Sequence, residues 1–271
     1  MGKEQGKALL RETFDSVSGV FDCEALRFFR DSAKHLGACL ELSGGERVLD
    51  VATGTGHAAL AIASRLPRGQ VTGVDFSPGM LAQARKKAAA LDLSNVLFLE
   101  RDMQTLGFPP DYFDAAVSAF GVFFACDMDA QLSHITSTVK PGGQVAISEF
   151  QENIFCPLAN LLFDRLAAYG VKQRLHDWKR IADEKECKKL FERAGLEDIR
   201  VDEKNMGYYV DSAEKWWDVI WNAGFRRLVS QLTPGGLERF KREHLQEVDS
   251  LKTTDGIWLE VGVLFTVGTK P

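Results

Sequence analysis

The sequence contains few cysteines, and none of them is placed for a metal site or a disulfide framework. Its five cysteines stand far apart, at Cys23, Cys39, Cys126, Cys156 and Cys187. No CxxC pair and no cluster of histidine with cysteine occurs, so we expect free thiols and no bound metal. Free thiols are typical of a protein from a reducing compartment.

The chain also lacks a long apolar run and an excess of positive charge. No stretch of about 18 or more apolar residues is present, and the polar residues 1–7 lack the apolar core of a signal peptide. Lysine and arginine number 33 against 38 acidic residues, a net charge of −5. Because nucleic-acid binding requires a basic surface, we expect no nucleic-acid partner. Because no long apolar run is present, we expect no membrane span. We expect a cytoplasmic monomer or homodimer.

Short apolar runs alternate with helical patterns through the middle of the chain. The runs that read as strands lie at 47–52, 70–75, 96–100, 113–120, 144–150, 199–203 and 257–267. Strands that alternate with helices are typical of a parallel sheet with helices on both faces. The sequence therefore predicts an α/β fold with a doubly wound, seven-stranded sheet.

Helical patterns also precede and interrupt this alternation. Apolar residues three or four positions apart predict an N-terminal helical cap over residues 1–45, before an α/β core over 46–271. Two further helical stretches, at about 151–182 and 206–256, are insertions into the core. In the second, Trp217, Trp221 and Phe225 are spaced i, i+4, i+8, which predicts one helix face. We expect these insertions to form a hydrophobic lid over an acceptor pocket.

A glycine turn lies between the first predicted strand and the helix that follows it. This turn, Asp50–Gly56, allows the backbone to approach a ligand closely, and the helix presents free N–H groups. Asp75 ends the next strand, 21 residues after Gly54. An acid at that position accepts hydrogen bonds from ribose hydroxyls, so the pattern predicts an adenosine-containing ligand.

Two classes of ligand fit this turn. Residues 54–59 match the dinucleotide fingerprint G-x-G-x-x-G/A, which leaves a nicotinamide-dependent reductase as an alternative. Asp50, however, would repel a pyrophosphate and attract the ammonium of S-adenosylmethionine (SAM), which carries no phosphate. No tyrosine is followed by a lysine four residues later, as a reductase of this kind would need. A SAM-binding protein without methyl transfer also stays open.

Four segments in order resemble the motifs of class I SAM-dependent methyltransferases. They are residues 48–56, 72–81, 113–117 and 139–143. The resemblance extends to 14–22 and 147–150 in the ubiquinone/menaquinone-biosynthesis C-methyltransferase group. It implies a Rossmann-like methyltransferase sheet and SAM as the cofactor. Two residues depart from that group, which has tyrosine at the position of Phe21 and serine at that of Ala119.

The resemblance implies a role for each residue that matches a motif. Asp50 faces the ammonium of SAM, Asp75 holds the ribose, and Asp102 accepts from the adenine amino group. The other residues implied at the SAM site are Phe21, Ala52, Thr53, Gly54, Thr55, Gly56, Phe76, Met80, Met103, Ala119 and Phe120.

Bases that could deprotonate an acceptor are few. Glu149 ends the fifth predicted strand, at the edge of the sheet where chemistry occurs, and is the main catalytic candidate. His176, in the first insertion, is a second candidate. The sequence thus predicts an enzyme that transfers the SAM methyl group in line to a small, apolar or aromatic molecule, with the accepting atom undetermined.

Overall fold

A seven-stranded sheet runs through the computed structural model, which describes residues 3–171 and 177–271. The strands of the described residues are β1 (Arg47–Val51), β2 (Gln70–Asp75), β3 (Val96–Glu100), β4 (Phe113–Ala119), β5 (Val139–Phe150), β6 (Glu197–Asn205), β7 (Tyr208–Val210), β8 (Ile257–Leu259) and β9 (Gly262–Thr269). Of these, β7 and β8 form a separate two-stranded sheet. The order in the large sheet is β3-β2-β1-β4-β5-β9-β6. β1 to β5 are parallel, and β9 is antiparallel to both of its neighbours. The predicted fold class is confirmed.

Helices lie on both faces of this sheet. They are α1 (Lys3–Val17), α2 (Arg27–Ala38), α3 (His57–Ala63), α4 (Pro78–Ala90), α5 (Met128–Ser137), α6 (Leu158–Ala168), α7 (Glu184–Arg193), α8 (Ala213–Asn222), α9 (Arg226–Val229) and α10 (Pro234–Asp249). Local signals set their starts. At α4, Ser77 precedes Pro78, and the Ser77 hydroxyl accepts from the Met80 N–H, because the first N–H groups of a helix lack internal partners. No helix of the described residues is both long and apolar enough to cross a membrane.

Two apolar cores flank the sheet because successive strand residues point to opposite faces. On β1, Val48 belongs to the core beneath α2 and α3, and Leu49 to the core beneath α5 and α7. The first core continues into the helices α6, α8 and α10. The strand order reverses at β1, between β2 and β4, so the carboxyl ends of these strands border a crevice.

Two segments in the last third of the chain differ from the prediction. Residues 208–210, predicted within a helical stretch, form β7, which pairs antiparallel with β8. The run 257–267, predicted as one strand, is divided into β8 and β9, which belong to different sheets. Apolar patterning alone does not show where a chain leaves one sheet for another, because both strands have buried faces.

Candidate SAM site

The glycine turn adopts a left-handed backbone at three positions. The φ angles of Ala52, Gly54 and Gly56 are 56°, 54° and 84°. A Cβ added at Gly56 would lie 3.0 Å from Ala84 Cβ and Phe98 Cζ, whereas one at Gly54 would meet nothing within 4 Å. Gly56 is therefore required for packing against α4 and β3, and Gly54 borders open space that a ligand can fill.

Asp50 is a completely buried carboxyl group at the end of β1. Its Oδ2 accepts from the Thr53 hydroxyl at 2.5 Å and from the Ala59 N–H at 2.9 Å. Its Oδ1 has no hydrogen-bond partner among the described residues. Burial raises the pKa of Asp50 to about 7, although both hydrogen bonds lower it. A cationic group beside Oδ1 would provide the missing partner and favour the carboxylate, which fits the ammonium of SAM.

Replacement of Asp50 by asparagine should flatten the pH dependence of stability. The unfolded chain ionises Asp50 near pH 3.8, whereas the folded chain keeps the proton to about pH 7. The free energy of unfolding therefore falls as pH rises through this window, by up to about 1.4 kcal/mol per pH unit, and levels off above it. Denaturant unfolding of the wild type and of Asp50→Asn from about pH 4 to about pH 8 measures how the free energy of unfolding of each protein depends on pH. Parallel curves for the two proteins would contradict this prediction.

Asp75 joins the glycine turn to the end of β2. Its Oδ2 accepts from the Gly54 N–H at 2.8 Å and its Oδ1 from the Ser77 N–H at 2.9 Å. The side chain is buried, and burial raises its pKa. Each carboxylate oxygen has two lone pairs, so both can accept a further bond from a ribose hydroxyl.

The residues implied at the adenine lie after β2 and β3. Phe76 is half-buried, and Met80 is buried within α4. Asp102 caps a short 3-10 helix through the Gln104 N–H, and Met103 is half-buried beside the second core. The structure thus brings Asp102 and Phe76 to one edge of the sheet, whereas Met80 lies in the interior.

Phenylalanines gather at the carboxyl ends of β4 and β5. We name the group formed by Phe21, Phe29, Phe120, Phe150 and Phe155 the phenylalanine cluster. The rings of Phe120 and Phe150 stack with centroids 4.3 Å apart, and those of Phe21 and Phe29 stack at 4.9 Å. Phe29 meets Phe120 edge-on at 5.3 Å. Asp50 on β1 pairs with Val117 on β4, and β4 ends two residues later at Ala119, directly before Phe120. The cluster therefore adjoins the glycine turn.

Glu149 lies on the other face of the sheet. It precedes Phe150 on β5, and successive residues of a strand point to opposite sides. Its side chain is buried against the second core near Cys187, and neither carboxyl oxygen has a partner among the described residues. Burial raises the pKa of Glu149 well above its ordinary value. The structure therefore does not bring Glu149 to the phenylalanine cluster, and His176 lies outside the described residues.

The tryptophans of the second insertion differ in what they contact. The prediction that Trp217, Trp221 and Phe225 share one helix face holds for the two tryptophans and is wrong for Phe225, because α8 ends at Asn222. Trp217 stacks on Trp221 at 6.2 Å and packs against α10. Trp216 instead lies 5.5 Å from Phe155 in the phenylalanine cluster.

The N-terminal segment crosses the ends of β2 and β3, which the sequence analysis did not foresee. Asp15 accepts from the Ser77 hydroxyl at 2.5 Å and from the Gly79 N–H at 3.0 Å. Lys7 Nζ lies 2.6 Å from Asp102 Oδ2. These partners are more than 60 residues away along the chain, so no local pattern in the sequence signals them.

Comparisons with known proteins match the part of the chain that carries this site. The family model described as a methyltransferase domain matches residues 48–143, which include the glycine turn, Asp75 and Asp102. Residues 48–143 are therefore similar to a methyltransferase domain. The chain is related to the class I SAM-dependent methyltransferases, and SAM is the cofactor that this relationship implies.

Curated relatives that match this part of the chain are named as methyltransferases of small molecules. Demethylmenaquinone methyltransferase of Thermus thermophilus is 45% identical over 105 residues, which are 39% of this chain and 47% of the relative. Aklanonic acid methyltransferase of a Streptomyces strain is 32% identical over 143 residues, 52% of this chain and 65% of the relative. The chain thus spans less than two thirds of the length of either relative.

Solved structures share the fold over most of the chain. The YcgJ protein of Bacillus subtilis superposes with a TM-score of 0.59 at 20% identity, over 89% of this chain and 98% of its own. This likeness covers more of the chain than residues 48–143, so helices and strands outside that range are also part of the shared fold.

Proposed function

We propose that the chain transfers the methyl group of SAM to a small molecule that is apolar or aromatic. The observation that carries this proposal is the position of Asp50, Gly54 and Asp75 at adjoining strand ends beside the phenylalanine cluster. Relatives named for methylation of small molecules support it. The two alternative functions are SAM binding without methyl transfer and nicotinamide-dependent reduction.

The described residues fit SAM in charge, and the space beside Gly54 is open. Asp50 would face the ammonium group, the backbone at Gly54 would lie along the methionine part, and Asp75 would hold the ribose. Asp102 would accept from the adenine amino group once Lys7 Nζ shares or leaves its Oδ2. When bound, SAM supplies a methyl group activated by its sulfonium.

The phenylalanine cluster would hold the acceptor and exclude water from the transfer. Aromatic faces attract cations, so the rings next to the glycine turn also suit a sulfonium. Alignment of the nucleophile with the methyl carbon supplies much of the rate of an in-line transfer, and packed rings restrict how the acceptor can lie. The helices α6, α8 and α10 would cover this cluster as the lid, with Trp216 in contact with Phe155.

The setting of the reaction is part of the proposal. The free cysteines fit a reducing compartment, and the net charge of −5 does not favour nucleic acid as a partner. Among the described residues, no group of histidine, cysteine or acidic side chains could hold a metal ion. We propose a cytoplasmic enzyme, monomeric or homodimeric, with a small-molecule acceptor.

The choice of cofactor is tested by thermal unfolding with added ligand. We expect SAM and its demethylated product to raise the melting temperature, because a ligand that binds only the folded state stabilises it, by about 2.7 kcal/mol at a hundredfold excess over Kd. NADH should have no effect. Stabilisation by NADH alone would overturn the proposal in favour of a reductase.

Methyl transfer itself is tested with SAM labelled in its methyl group. Panels of phenols, quinols, amines and thiols are supplied as acceptors, and we expect label in the organic product of one class. If SAM binds but label is transferred to no acceptor in any panel, the SAM-binding alternative replaces methyl transfer.

A further inference from the structure

Asp22 joins the N-terminal segment to the glycine turn. Its Oδ1 accepts from the Thr55 hydroxyl at 2.6 Å and lies 2.8 Å from His57 Nε2. Its Oδ2 lies 2.7 Å from Lys87 Nζ on α4. One carboxylate therefore holds side chains from both sides of Gly56 and from the helix that packs against that glycine.

The four side chains form a closed network. Lys87 Nζ also donates to the Thr55 hydroxyl oxygen at 3.0 Å, and Thr55 is buried. A third of the Asp22 side chain is exposed. Although burial raises it, hydrogen bonds from His57, Lys87 and Thr55 hold the pKa of Asp22 well below its usual range. In the folded protein, the Asp22 carboxylate is therefore ionised at neutral pH.

The network connects the two halves of the site. Asp22 follows Phe21, whose ring stacks on Phe29 in the phenylalanine cluster. On its other side it holds Thr55, next to the open space at Gly54. A movement of residues 21–22 would therefore displace both a ring of the cluster and the glycine turn.

We propose that Asp22 is a positioning residue for SAM: it fixes the glycine turn and the segment that carries Phe21 in one arrangement before the cofactor binds. The proposal rests on the proposed function. Preorganisation raises affinity because the turn does not have to be ordered during binding. Asp22 itself needs no contact with SAM.

The test compares SAM affinity, stability and backbone exchange in matched variants. Asp22→Ala removes the carboxylate that Thr55, His57 and Lys87 share. Asp22→Asn keeps an acceptor oxygen but leaves Lys87 without a counter-charge. The control is Asp114→Asn. Asp114 accepts from the Arg47 N–H and from Lys140 at the opposite ends of the strands, and its exposure is similar. Calorimetry gives the Kd for SAM, and amide hydrogen exchange reports on residues 18–29 and 52–59.

We expect Asp22→Ala to raise the Kd for SAM about tenfold, which is about 1.4 kcal/mol and close to the value of a single hydrogen bond to a charged group. Exchange should quicken in both segments. In Asp22→Asn the loss should be partly reversed by adding Lys87→Met, which removes the unpaired cation. Asp114→Asn should leave Kd and exchange in these segments as in the wild type.

Two results would overturn the assignment. One is a Kd for Asp22→Ala within about twofold of the wild type, whatever its stability. The other is an equal rise in Kd for Asp114→Asn, which would show a general effect of lost ion pairs. Failure of the proposed function gives a different result, because the wild-type protein would then not bind SAM at all.

Discussion

Replacement of Asp75 by alanine should weaken SAM binding by roughly 2–3 kcal/mol, which is about 30- to 150-fold in Kd. Two losses add up. The variant lacks the carboxylate that we assign to the ribose hydroxyls. It also lacks the acceptor of the Gly54 and Ser77 N–H groups, so the glycine turn is no longer fixed to the end of β2.

Calorimetric titration with SAM checks this expectation. Asp114→Ala is the matched control, because Asp114 also accepts a backbone N–H but lies where β1 and β4 begin. Asp75→Asn should recover little, since its amide offers one acceptor oxygen in place of two. An unchanged affinity in Asp75→Ala would remove Asp75 from the SAM site.

The Trp216→Ala variant should lose about 3–5 kcal/mol of unfolding free energy. Trp216 is fully buried between Phe155 and Phe225, so its removal leaves a large cavity. Its indole N–H also donates to Nε2 of the buried His244 at 2.9 Å, and that nitrogen would lose its partner. Burial lowers the pKa of His244 to about 4, so near neutral pH the imidazole of the intact protein is neutral and its Nε2 can accept from Trp216.

Denaturant unfolding of three variants separates these contributions. Trp216→Phe keeps most of the packing and should lose about 1–3 kcal/mol through the unpaired His244. Trp258→Ala is the control, because Trp258 lies on β8 with 37% of its surface exposed, and it should lose no more than about 1 kcal/mol. A loss in Trp216→Ala no greater than in Trp258→Ala would show that Trp216 is not part of the core.

The lid hypothesis also depends on the tryptophans. The spacing of Trp217 and Trp221 in the sequence predicts a helix face toward the acceptor, which Trp217→Ala and Trp221→Ala would test. In the structure, Trp217 packs against α10, so a loss of stability is the expected result there. Trp216 is the residue of α8 that reaches the phenylalanine cluster, which makes Trp216→Phe the better test of acceptor selectivity.

The sheet and the glycine turn could be predicted because their signals are local. A short apolar run, a glycine pair and a Ser-Pro helix start each depend on neighbours a few residues away. Asp75 could be placed for the same reason, since parallel strands bring their carboxyl ends to one edge. The same local signals are seen where α3 begins at His57, directly after the glycine turn, and where Ser77 caps α4.

The contacts between distant segments could not be predicted in this way. Glu149 ends β5 as expected, but which face it occupies depends on the register of the strand, and a shift by one residue reverses the face. The partners of Asp22 lie 33 to 65 residues along the chain, and helix docking alone brings them together.

The sequence by itself thus determined the α/β sheet, the turn between β1 and α3, and the acids at the strand ends. The tertiary structure decided which side chains share a site. It gathered the phenylalanine cluster from α2, the ends of β4 and β5 and the loops near them, and it directed Glu149 away from that cluster. The physical reason is that backbone patterns report local hydrogen bonding and burial, whereas contacts between side chains depend on how whole elements pack.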